Sequence, residues 1–253
     1  MSLRPVTLIA FLVAALALAA LLVVATFPAP SGPGDGGFDR RVRAYLMTHP
    51  EVIIEAVESL RQRGTADQAA RQRAALRANR AALLSSGPLP VAGNPSGDVT
   101  VVEFFDYRCP YCRQAVPEVK ALLAADRNIR VVYKEFPVLG PESLYASRVA
   151  VAAALQGKYA AVHDALMSAR EKLTETTIRA VVTAAGADWA RIEADMERPE
   201  VAKVIRDNLS LARHLAINGT PTFIIGDEVI PGYAPAATMI ELVHRVRSLS
   251  GKR

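Results

Sequence analysis

A chain of 253 residues has room for one large domain or a medium domain with appendages, and its 51% apolar and 22% charged content readily supplies a core. The formal charge of +5 is mild, and no basic stripe carries interleaved aromatic residues, so nucleic acid is not indicated as a partner. The two cysteines exclude a disulfide framework and an all-cysteine tetrahedral zinc site within one chain.

Residues 6–27 are almost wholly apolar, interrupted by Thr7 and Thr26, preceded by Arg4 and followed by a Pro- and Gly-rich stretch. The run is about long enough to cross a bilayer as a helix and exceeds the usual apolar region of a signal peptide. Residues 1–27 therefore read as an uncleaved signal anchor holding the chain in the inner membrane. The alternative is a cleaved signal peptide, which leaves a soluble periplasmic protein. Either way the remainder is exported to a compartment where disulfides persist. Residues 28–37 read as a flexible linker.

Residues 38–86 carry a helical pattern and no strand signal. His49-Pro50 breaks a first helix, and Pro50 opens a second with Val52, Ile53, Ala56, Val57 and Leu60 on one face. Gly64 is expected to end it. A third helix, 67–84, places Ala69, Leu76 and Leu83 at heptad spacing. Two readings stand for this arm: an oligomerisation or membrane-surface element, or helices lying against the chain's own main domain. Turn residues at 87–90 and 93–97 then mark the entry to that domain.

Val99 to Phe105 is β-branched and aromatic, the pattern of a buried strand. A helix follows Cys109, with Pro117 inside it, and 129–136 reads as a second strand, so the pair forms a parallel βαβ unit. Residues 141–217 carry five helical stretches near 142–156, 158–169, 174–185, 188–196 and 199–216, with no strand among them. Strand signals return at 220–225, with Gly226-Asp227 as a hairpin turn and 228–230 pairing back, before a terminal amphipathic helix from Ala236.

The two cysteines fall in Cys109-Pro110-Tyr111-Cys112, directly between the first strand and its helix. By composition alone the pair is a redox dithiol or a two-thiolate site for a soft metal such as Cu(I). The strand-to-helix context favours redox. His49, His163, His214 and His244 have no spacing to one another or to the cysteines that would make a metal cluster or a Cys–His pair, so no metal site is read.

Several features now coincide: Val102-Glu103-Phe104-Phe105 ahead of Cys-Pro-Tyr-Cys, a helical insertion, and Gly219-Thr220-Pro221-Thr222-Phe223 followed by a hairpin and helix. Over residues 95–250 the chain resembles the DsbA family of exported thiol:disulfide oxidoreductases. The Cys-Pro-Tyr-Cys motif and the arm resemble its ScsC-like branch. The resemblance implies an α/β thioredoxin fold with an inserted helical domain at 141–217, preceded here by the membrane segment and the arm. It implies protein disulfide oxidoreductase or isomerase activity with no cofactor. The implied partners are exported protein substrates bearing thiols or disulfides, a membrane redox partner that resets the dithiol, and further copies of the chain through residues 38–86.

Within that frame Cys109 is the expected nucleophile, because a helix start favours a thiolate. Cys112, one turn in, is the resolving thiol. Pro110 suits the first helical turn, where a missing N–H is harmless. Tyr111 brings no positive charge to the thiolate, so a potential less oxidising than that of Cys-Pro-His-Cys relatives is expected. The resemblance implies that Thr220-Pro221 is cis, faces the dithiol and pairs through the Thr220 backbone with an extended substrate. Glu103, in a buried strand, is the expected proton acceptor for Cys112, with Lys134 on the next strand as its partner.

Overall fold

The computed structural model describes residues 36–250. The apolar segment 6–27 and most of the expected linker lie outside the described residues. Among the described residues no helix is long and apolar enough to cross a membrane. The chain divides into two compact units, one ending at Thr65 and one beginning at Ala66.

The first unit holds α1 (Gly36–Thr48) and the start of α2 (Glu51–Ala78). Thr48 and His49 hydrogen-bond back to the Tyr45 carbonyl where α1 ends, and Pro50 follows. The expected stop at Gly64 is corrected: α2 runs through it. A glycine stop needs the left-handed conformation, which Gly64 does not adopt, and good helix formers on both sides outweigh the roughly 1 kcal/mol that glycine costs relative to alanine. Phe38, Tyr45, Met47, Ile53, Ile54 and Leu60 are exposed in this unit.

The second unit is built on a five-stranded sheet. Its strands are β1 (Ala92–Gly93), β2 (Val99–Phe105), β3 (Ile129–Glu135), β4 (Thr222–Ile225) and β5 (Glu228–Pro231), in the order β1-β3-β2-β4-β5. The central strand β2 pairs parallel with β3, from Val99 opposite Ile129 to Phe105 opposite Glu135, and antiparallel with β4. β1 was not foreseen. It is two residues long, and Gly93 approaches β3 so closely that a Cβ there would sit 2.5 Å from the Ile129 carbonyl oxygen.

Strand alternation divides the core. Val99, Val101, Ile129, Val131, Phe223 and Ile225 face α4 (Pro110–Ala125) and α10 (Ala236–Ser250). Val102, Phe104, Val132 and Ile224 face Leu76 near the end of α2, Leu83 of α3 (Arg80–Leu84) and Leu211 of α9 (Pro199–His214). Of the heptad positions, Leu76 and Leu83 are thus buried against the chain's own sheet, while Ala69 is exposed. The insertion supplies α5 (Pro141–Ala154), α6 (Tyr159–Ser168), α7 (Glu175–Ala184) and α8 (Trp189–Asp195), then α9. Thr174 and Asp188 cap α7 and α8 through their side chains. The core of this insertion is continuous with Phe105, Tyr107 and both cysteines, so the dithiol lies at the seam between sheet and helices.

Candidate active site

Cys109 is the N-cap of α4, with extended backbone, and Pro110 is the first helical residue. Proline there loses no bond, since the first helical N–H groups have no intrahelical acceptor. The helix continues through Pro117. Both cysteines are buried and free, and Tyr111 between them is 58% exposed. The Thr220–Pro221 peptide bond is cis, and the Thr220 carbonyl oxygen accepts from the Cys109 thiol at 3.2 Å. This loop is held from both sides: the Gly232 N–H donates to the Pro221 carbonyl at 2.8 Å, and the Thr222 hydroxyl donates to the Gly219 carbonyl at 2.7 Å.

The two thiols have opposite tendencies. Cys109 is pulled down to about 5, first by the Cys112 thiol beside it and then by the Thr220 side chain and the first N–H groups of the helix, which together outweigh burial. Cys112 is pushed far above the ordinary thiol range by burial, by its bond to Cys109 and by the charge of Glu103. At neutral pH one sulfur is therefore a nucleophile and the other holds its proton.

Glu103 is buried on the sheet face that α4 covers, and no hydrogen bond among the described residues reaches its carboxylate. Burial, then the charge of Cys109, pushes its pKa up to about 8. The expected partnership with Lys134 is corrected. Glu103 lies opposite Tyr133, and Lys134 opposite Phe104, so the two side chains project from opposite faces of the sheet. The Lys134 ammonium instead donates to the carbonyls of Ala82 and Ser85 at the end of α3. Burial brings its pKa down to about 8.

The structure also assembles a buried polar group that the sequence reading did not single out. Glu135 accepts hydrogen bonds at one carboxylate oxygen from Tyr107 at 3.0 Å and Tyr159 at 2.9 Å, while its other oxygen is buried without a partner. With the Tyr107 hydrogen committed to Glu135, His163 is the donor in the 3.2 Å contact between its Nδ1 and the Tyr107 hydroxyl. Burial drives Glu135 up to about 8 and His163 down to about 4. Tyr107 is two residues from Cys109, and the adjacent Asp106 carboxylate binds the N–H groups of Arg108, Val138 and Leu139 and the Ser143 hydroxyl. The loop that leads into Cys109 is therefore bonded to β3, to the segment after it and to two helices of the insertion. Proximity of Asp106 and Tyr107 to the motif was the only signal in the chain; Glu135, Tyr159 and His163 come from distant elements.

Among the described residues no group of three or more His, Cys, Asp or Glu side chains is placed to hold a metal ion. A parallel βαβ unit carrying a Cys-x-x-Cys at the helix N-terminus, faced by a cis-proline loop and interrupted by a helical insertion, defines a thioredoxin-fold dithiol protein. Within that class the DSBA-like thioredoxin domain matches residues 100–243, more than half of the chain, and the chain belongs to that family. The N-terminal domain of copper resistance protein ScsC matches residues 38–66.

Among solved structures, a thioredoxin-like oxidoreductase from Silicibacter pomeroyi DSS-3 is 46% identical, with a TM-score of 0.66 over 67% of this chain and 98% of that one. Salmonella enterica Typhimurium BcfH is 27% identical, with a TM-score of 0.69 over 83% of this chain and 94% of that one. Proteus mirabilis ScsC in a transitional conformation is 26% identical, with a TM-score of 0.61 over 83% of this chain and 97% of that one. Among curated proteins, a segment of 137 residues is 31% identical to part of a Na(+)/H(+) antiporter, NhaA 3, of Salinispora tropica. The match takes in 53% of this chain, and the chain spans about a fifth of the length of that relative (21%).

Proposed function

We propose that this thiol:disulfide oxidoreductase works in an exported compartment on protein substrates, with Cys109 as nucleophile and Cys112 as resolving thiol. The observation that carries this reading is the placement of Cys109, whose thiolate is favoured, at a helix N-cap and beside the Thr220 backbone of a cis-proline loop. In the oxidising direction a substrate thiolate attacks the Cys109–Cys112 disulfide and forms a mixed disulfide at Cys109, leaving Cys112 as a thiolate that takes up a proton from Glu103. A second substrate thiolate then displaces Cys109, so the substrate is oxidised and the enzyme reduced by two electrons. In the reducing direction the Cys109 thiolate opens a substrate disulfide. Cys112 passes its proton to Glu103 and attacks the Cys109 sulfur, releasing the substrate thiolate. Thr220 and Pro221 hold the substrate segment, and exposed Tyr111 offers an aromatic surface to it.

The isomerase or reductase direction is favoured by the arm. The exposed apolar residues of 38–65 and the match to an ScsC N-terminal domain support self-association through residues 38–86, which would present several dithiols to one misfolded chain. Export by residues 1–27 and resetting by a membrane redox partner complete this reading. The second reading, a Cu(I)-holding dithiolate, draws on the copper-resistance description of that same domain. A Cys112→Ser variant separates the two. Expressed in a diderm host, it is expected to accumulate mixed disulfides with exported proteins, seen as reducible adducts at Cys109. A variant that traps no protein while the native chain binds Cu(I) stoichiometrically overturns the oxidoreductase reading.

A further inference from the structure

Beside Pro110, the residue after Cys109, the surface falls into a recess of about 250 Å³ lined also by Arg108, Arg113, Arg170, Glu171 and Lys172. Two of these cations are fixed in place. Arg113 donates to the carbonyls of Tyr107 at 3.0 Å and Ala169 at 2.6 Å, and so spans the seam between α4 and the end of α6. Arg108 donates to the Leu139 carbonyl and to Glu142. Carbonyl acceptors orient a guanidinium without cancelling its charge. The carboxylates at the recess are Glu171 on its lining and Glu142, which is shared between Arg108 at 3.0 Å and Lys172 at 4.0 Å. Neither Arg113 nor Arg170 has an ion-pair partner among the described residues. Four cations therefore face two acids, and half the cations are unpaired, next to the residue that follows the nucleophile.

The other side of the dithiol differs. There the cis-proline loop offers the Thr220 backbone, Pro221 and Gly232, all uncharged. A polypeptide lying across Cys109 thus meets backbone-bonding groups on one side and a preformed positive recess on the other. The planar, pre-oriented guanidinium of Arg113 is suited to carboxylates, and its anchoring removes much of the ordering cost of binding.

We infer that the recess selects substrates: it takes the side chain of an Asp or Glu lying within a few residues of the reacting cysteine, so that acidic segments are the preferred partners of Cys109. This rests on the oxidoreductase reading above and names its substrate class. Because the recess is open to solvent, the preference should act mainly on the encounter and weaken with salt.

The test uses the reduced full-length protein and three short peptides whose single cysteine is blocked as a mixed disulfide with a chromophoric thiol. The cysteine is flanked by Glu in the first, Ser in the second and Lys in the third, and release of the chromophore gives the second-order rate constant. At low salt the Glu peptide is expected to react about tenfold faster than the Lys peptide, the ratio shrinking towards one in about 0.5 M salt. In the double variant Arg170→Glu/Lys172→Glu, both positions being exposed, the Glu-to-Lys ratio is expected to invert. Lys203→Glu/Arg206→Glu on α9, an equal change of net charge outside the recess, should keep the order found in the native protein. Equal rates for the Glu and Lys peptides at low salt, or an order left unchanged by the recess variant, overturn the inference. Failure of all three peptides to react with the native protein would instead sink the oxidoreductase reading itself.

Discussion

The two faces of the central sheet bury ionisable groups under opposite terms. On the face covered by the ends of the arm helices, Lys134 donates to the Ala82 and Ser85 carbonyls and Arg130 donates to the Leu84 carbonyl at 2.9 Å. The cations of β3 thus satisfy the carbonyls at the C-terminal end of α3, where positive charge is favoured. On the face covered by α4, no hydrogen bond among the described residues reaches the Glu103 carboxylate, and Glu135 leaves one oxygen without a partner there. Both acids are pushed up to about 8 by burial. A satisfied buried charge fixes a helix in place, whereas an unsatisfied acid beside a thiol can exchange a proton near neutral pH. The same strand alternation that builds the core thereby separates cations bonded to a helix end from buried acids, one of which takes part in the proton exchange proposed above.

Replacing Glu103 tests the reactive face most severely. In Glu103→Gln the mixed disulfide at Cys109 should resolve about 10²-fold more slowly near pH 8, the size typical of a lost general base, as measured by stopped flow after a substrate disulfide is opened. The native rate should rise with pH through about 8 as Glu103 becomes the base form, and the variant should lack that rise. The same shift ties Glu103 to stability. The folded chain keeps the Glu103 proton up to about 8 while the unfolded chain releases it near 4.5, so this residue lowers stability progressively as pH rises across that window. The variant should therefore gain on the native protein in urea unfolding between those limits.

A smaller effect is expected on the other face. Lys134→Met leaves the Ala82 and Ser85 carbonyls without their donor and should cost about 1–3 kcal/mol of unfolding free energy, with the resolution rate unchanged. A variant that slowed resolution as Glu103→Gln does would show that the faces are coupled and would dissolve the comparison.

Much of this arrangement was legible in the residues. The β-branched runs 99–105 and 129–136, the turn residues Gly226-Asp227 and the helix starts at Thr174 and Asp188 announce their elements, because local pattern and tertiary role agree there. The cysteine pair falls at the strand-to-helix junction as its spacing announces, and Glu103 is buried within its strand as the apolar run around it announces. Lys134 did not follow, because the side on which a strand residue projects depends on register, and register is a relation between strands that neither strand states alone. Gly64 failed as a stop for a related reason: composition suggests where a helix can end, but the conformation of the residue decides. The Tyr107–Glu135–Tyr159–His163 group was out of reach because its members come from a loop, a strand and a helix up to 56 residues apart.

The contrast between the two sulfurs has an electrochemical consequence. Over the span in which Cys109 is a thiolate and Cys112 a thiol, reducing the disulfide takes up two electrons but a single proton. The midpoint potential should then fall by about 30 mV for each unit of pH, half the slope of a dithiol whose two sulfurs are both protonated. Below about pH 5, where Cys109 also takes a proton, the slope should double. The break in that line would record, from outside the protein, where a helix N-terminus and a neighbouring thiol hold the charge of one sulfur atom.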